Sequence, residues 1–135
     1  MIIHISQSAL TKAIKKINTG YPLIIPNNNG SQYYLKYYAV NEWEDKNDFY
    51  SPILTAQPLK SFFYPPQEKV MEYPDANSKT EDIQAKVIIA PKACDIHALK
   101  IIDKVYLEGD YPDPGYVKNR EKNIIISADC IDAGE

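Results

Sequence analysis

Residues 86–127 constrain the fold more than any other part of the chain. Lys86 to Ala90 is an aliphatic run, Asp95 to Leu107 carries Ala98, Leu99, Ile102, Val105 and Tyr106 at helical spacing, and Asn123 to Ser127 is aliphatic again. The expected order is therefore strand, helix, strand. Within one sheet such a unit is a right-handed crossover between parallel strands, so both strands end on the same edge of the sheet. Cys94 follows the first strand and Cys130 the second. Both cysteines are thus expected beyond the carboxyl ends of the strands, where open α/β sheets take their ligands.

The preceding segments read less uniformly. Leu10, Ala13, Ile14 and Ile17 form an apolar stripe over residues 8–17, with Lys12, Lys15 and Lys16 off the stripe, which predicts a short amphipathic helix. Ser6 or Ser8 can cap it, and Gly20 lies just past its end. Residues 21–26 and 32–40 are extended segments around Asn27-Asn28-Asn29-Gly30, a turn sequence suited to positive φ, and predict a hairpin. Residues 41–51 are polar and acidic around Trp43 and Phe49, which predicts a loop with aromatic anchors. Residues 53–59 and 61–64 are expected as short strands confined to edges by Pro52, Pro58, Pro65 and Pro66. Residues 67–73 suggest two helical turns, residues 75–82 a polar connection, and residues 108–115 a proline-stiffened turn. His4 falls in an apparent edge strand and is given no role. The predicted architecture is one α/β domain over residues 1–135, with a mixed sheet, an antiparallel hairpin region and a C-terminal parallel βαβ unit.

Composition excludes several classes. The chain carries 15 Lys and Arg against 18 Asp and Glu, without the basic excess that neutralising nucleic-acid phosphates requires. Its aliphatic runs fall far short of the roughly 18 residues of a membrane span. The first residues carry neither a basic region nor an apolar core of secretory length, so the reading is cytoplasmic, with no nucleic acid and no membrane as partner. Two cysteines are too few for a disulfide scaffold, and by themselves cannot complete a four-ligand metal site.

Cys94 sits where the backbone N–H groups of a helix start favour a thiolate, a position suited to ligation or redox chemistry. The plainer alternative is that Cys94 and Cys130 pack as small apolar groups. Asp95 and His97 suggest an acid-base pair, but residues two apart on a helix diverge and cannot readily share a proton. A small enzyme with Cys94 as nucleophile and His97 as base is disfavoured on the same ground. Tyr34, Lys36 and Tyr38 alternate on one strand face in a pattern that can stack bases, yet Tyr33, Leu35 and Tyr37 mirror it, so an ordinary two-faced sheet is expected. The carboxylates around residue 110 lack the ligand spacing of a calcium loop.

Three blocks carry a resemblance to a known family. They are Ala90-Pro91-Lys92-Ala93-Cys94-Asp95-Ile96-His97-Ala98-Leu99 with its continuation through Asp103 to Gly109 and Tyr111-Pro112-Asp113-Pro114, then Pro58 to Glu68, then Ser127-Ala128-Asp129-Cys130. Together they resemble the amino-terminal region of iron-sulfur electron-transfer subunits, namely the beta subunit of cytoplasmic hydrogenase/sulfur reductase and its counterpart in anaerobic sulfite reductase. The resemblance implies 4Fe-4S clusters in the full-length family, held by a ferredoxin-like region with CxxCxxCxxxC motifs, and none bound by this chain alone. It implies a non-catalytic docking and scaffold domain, the amino-terminal part of a longer subunit, whose partners are the catalytic and electron-transfer subunits of an oxidoreductase complex. It also implies Cys94 and Cys130 as metal or redox positions, with Lys92 balancing their charge and Asp95 and His97 shaping the site. The rival reading is a stand-alone protein-interaction domain with structural thiols.

Overall fold

The structure is a computed structural model that describes residues 2–44, 54–64 and 83–130. Its elements are α1 (Gln7–Asn18), β1 (Leu23–Asn28), β2 (Tyr33–Tyr38), a 3-10 turn over Leu59–Phe62, β3 (Val87–Lys92), α2 (Ala93–Tyr106), α3 (Pro114–Lys122) and β4 (Ile124–Ala128). The four strands form one sheet in the order β2-β1-β3-β4. β1 and β2 are antiparallel, while β1 with β3 and β3 with β4 are parallel, so the mixed α/β architecture and the C-terminal βαβ unit are both present.

The sheet is covered on both faces, which explains its aliphatic strands. On one face Ile14 of α1 packs with Leu23, Ile25, Tyr38, Trp43, Val87, Ile89 and Ala90. On the other, Leu99 of α2 and Tyr116 of α3 pack with Ile24, Leu35, Leu59, Phe63 and Ile88. Alternation along β1 and β3 sends Ile24 and Ile88 to the second face and their neighbours to the first. Each fully buried aliphatic side chain contributes about 1.5–3 kcal/mol. Pro26 is accommodated in β1 because β1 shares only the Leu23↔Val87 and Ile24↔Ile88 rungs with β3, and Pro26 lies past them.

Several expectations change in detail. α1 is capped by Ser6, whose hydroxyl accepts from the Ala9 N–H, and its buried contact is Ile14, with Ile17 half-buried and Leu10 and Ala13 exposed. The amphipathic stripe is narrower than predicted because α1 touches the sheet mainly through its C-terminal half. In the hairpin Gly30 alone takes the left-handed φ, at 92°, and Asn29 closes the turn by bonding Gln32. No strand forms over residues 54–64. Pro58 starts the 3-10 turn instead, and Leu59 and Phe63 are buried beneath α2 and α3. His4 lies in a segment that pairs with no strand among the described residues. Residues 108–115 are not merely a turn, because Asp113 and Pro114 open α3, with the Asp113 carboxylate accepting from the Tyr116 N–H at 2.7 Å. The expected helix over 67–73, the connection over 75–82, Phe49 and Ile53 lie outside the described residues.

Trp43 is the aromatic anchor its loop requires, and Asn18 holds it. The Asn18 amide donates to the carbonyls of Tyr21 and Ala39 at 3.1 and 3.0 Å, and its oxygen accepts from the Trp43 N–H at 2.9 Å. One buried side chain thus ties the end of α1 to the starts of β1 and of the segment after β2. Asn18→Ala strips partners from three backbone groups and is expected to lower the unfolding free energy by about 2–4 kcal/mol. Urea denaturation followed through the fluorescence of Trp43 measures the loss.

Candidate functional site at the carboxyl edge of the parallel strands

The parallel register places the ends of β3 and β4 side by side, with Lys92 opposite Ala128 as their last rung. Cys94 is two residues past Lys92, and Cys130 two past Ala128. Both cysteines are exposed, and no disulfide joins them. They therefore leave the sheet from one rung, on one edge, as the crossover predicted, and neither packs as an apolar core group.

Two features of this edge were not legible beforehand. Helix α2 begins at Ala93, two residues earlier than periodicity suggested, so Cys94 is the second residue of the helix rather than the residue before it. Strand β3 also runs on through Pro91 and Lys92, across an irregularity between Ile89 and Lys92 where Ala90 takes a left-handed φ of 60°. Such a conformation in a non-glycine residue is strained. Its packing consequence is visible, since Ala90 joins the same core cluster as its neighbour Ile89 instead of alternating away from it. Beyond it Lys92 is only 1% exposed, and its Nζ donates to the Asp129 carbonyl at 3.2 Å.

Asp95 stands half-buried in the first turn of α2, where its carboxylate complements the helix dipole, and His97 is exposed. Among the described residues no hydrogen bond joins them, in keeping with their two-residue spacing. The buried face of α2 consists of Ile96, Leu99, Ile102 and Tyr106, whereas Ala98 and Val105, expected on it, are exposed. The phase differs because the turn over Leu59–Phe62 and α3 share the covering of α2, and they meet it on the Tyr106 side.

A second cluster fixes the far end of α2. Arg120 Nε and Nη2 donate to the two Asp103 oxygens at 2.9 and 3.0 Å, and the Tyr116 hydroxyl donates to Oδ1 at 2.6 Å. Arg120 also lies 5.6 Å over the Phe63 ring, and the Tyr106 ring stacks on Tyr64 at 4.7 Å. Burial works to raise the Asp103 pKa, but the bonds from Arg120 and Tyr116 and the charge of Arg120 outweigh it and hold the carboxyl below its usual range. Burial and the bond to Asp103 push the Tyr116 hydroxyl well above its ordinary value. The network clamps α3 onto α2. The signal that could have revealed it was the Asp113-Pro114 helix start, which aligns Tyr116 and Arg120 at i and i+4.

Tyr34, Lys36 and Tyr38 do not form an open stripe. Tyr38 is buried and bonds Asn27, Tyr34 is half-buried, and Lys36 lies 5.0 Å over the Tyr38 ring. No helix among the described residues is long and apolar enough to cross a membrane.

Among known proteins, the chain is similar to part of sulfhydrogenase 2 subunit beta. The similarity to that Pyrococcus furiosus protein is 38% identity over 79 residues, taking in 57% of this chain and 23% of the relative. The chain thus matches less than a quarter of the curated relative's length. No family model and no solved structure matches.

Among the described residues the donor set does not fit a cubane cluster. Among the described residues no group of three or more His, Cys, Asp or Glu side chains converges on one point, and a cubane requires four ligands.

Because the folded Asp103 pKa lies below the unfolded one, its stabilisation is present above the unfolded value and is lost as the pH falls through the folded value. Asp103→Asn is expected to cost about 2 kcal/mol near neutrality. Its deficit relative to wild type should close in acid, which thermal melts stepped downward from neutral pH will show.

Proposed function

We propose that this chain is the docking and scaffold domain of an iron-sulfur electron-transfer subunit belonging to a hydrogenase or sulfur/sulfite reductase complex. Its partners are the catalytic and electron-transfer subunits of that complex, and it has no turnover of its own. The observation that carries the reading is the pair of exposed thiols, Cys94 and Cys130, leaving one rung at the carboxyl edge of β3 and β4 in a chain similar to part of a sulfhydrogenase beta subunit.

In this reading Cys94 and Cys130 are presented to a thiophilic group or a cluster-bearing partner that supplies the remaining ligands. Lys92 lies directly behind them, Asp95 steadies the start of α2, and His97 is available at the surface. The rival stand-alone interaction domain draws support from Ile101 and Val105, which are 59% and 62% exposed on α2. Its structural thiols are not favoured, because neither cysteine is buried.

The natural gene product, purified without oxygen, tests the proposal through its iron, acid-labile sulfide and co-purifying subunits. About eight irons, as two cubane clusters supply, together with a retained oxidoreductase partner are the expected result. Residues 1–135 expressed alone should hold no cubane cluster. An iron-free natural product with no oxidoreductase partner would overturn the assignment in favour of the interaction domain.

A further inference from the structure

Lys92 is an unusual residue to find at the end of a strand with 1% of its surface exposed, because an amino group leaves water only where the protein supplies acceptors. Its register follows the strained backbone at Ala90, since the irregularity between Ile89 and Lys92 takes up one extra residue and lets Lys92 again pair with Ala128. From there Nζ reaches across to the carbonyl of Asp129, the residue directly before Cys130. Lys92 itself caps the N-terminus of α2, two residues before Cys94, through its backbone. A single side chain therefore connects the backbone leading into one cysteine with the backbone leading into the other.

We propose that Lys92 is a positioning residue that sets the separation of Cys94 and Cys130. The need for such a strut follows from topology. Ladder hydrogen bonds align β3 and β4 only as far as the Lys92↔Ala128 rung, and Cys130 lies beyond the last residue of β4. Cys94 is held by the first turn of α2, whereas Cys130 follows a segment outside the ladder. The Lys92 bond extends the alignment one residue further, to Asp129, where the ladder no longer does so. Lys92 thereby acts on the placement of the thiols rather than on any bound group. The inference rests on Cys94 and Cys130 working together as the proposed function requires.

Residues 1–135 contain only these two cysteines, so in that polypeptide nitroxide labels can be attached to both without any substitution, and dipolar electron paramagnetic resonance then reports their separation. Wild type should give one narrow distance distribution. Lys92→Met, which keeps the apolar stem and removes the donor, should at least double its width. Lys92→Arg, which restores an N–H donor of similar reach, should narrow it again. Circular dichroism and Trp43 fluorescence verify folding, and if Lys92→Met does not fold, Lys92→Gln, whose shorter amide does not span the same gap, is read in its place. A broad distribution in wild type would show that the two thiols are not held as a pair and would count against the proposed function. A narrow distribution in both wild type and the donor-deleted variant would leave the pair intact and overturn the role of Lys92.

Discussion

The burial of β3 on both faces is the constraint from which the rest of the structure follows. All six of its residues are buried, and among the described strands it alone pairs with parallel neighbours on both sides. A strand in that position must be covered by a helix above and a helix below, or its aliphatic side chains face water. α1 supplies one cover and α2 with α3 the other. The carboxyl end of β3 is then held by the sheet, by the start of α2 and by the exit of β4 at once. That is why the two cysteines come out on one edge.

The covers are attached by different chemistry. On the α1 side a single neutral side chain, Asn18, satisfies three backbone groups where the chain enters β1 and leaves β2. On the α2 side the ion pair of Asp103 and Arg120, with the neutral Tyr116 hydroxyl, joins two helices at the rim of the core, where the bidentate geometry fixes orientation and the bonds to Asp103 outweigh the effect of its burial. Neither attachment involves the edge carrying Cys94 and Cys130, and among the described residues both thiols are exposed.

Residues close in sequence were legible where one periodicity governed them. The aliphatic runs of β3 and β4 and the helical spacing of α2 made the βαβ unit visible, and Asn-Gly made the hairpin visible. Residues 53–59 and 61–64 read as short strands because aliphatic and aromatic residues favour strands in general, whereas among the described residues Leu59 and Phe63 are consumed by packing under α2 and α3. α3 was missed because its surface is largely polar and its buried residues, Tyr116 and Asn119, are too few to mark a stripe.

The sequence by itself determined the fold class, the order of the parallel unit and the shared edge of the two cysteines, because parallel strands joined by a crossover helix have only one allowed hand. Only the tertiary structure decided that Ala90 bends out of regular strand geometry, that Lys92 beyond it is buried, and that its amino group reaches the residue preceding Cys130. Alternation along a strand predicts which face a side chain takes while the pleat is regular. It carries no information past an irregularity, where packing against the neighbouring strand chooses the conformation.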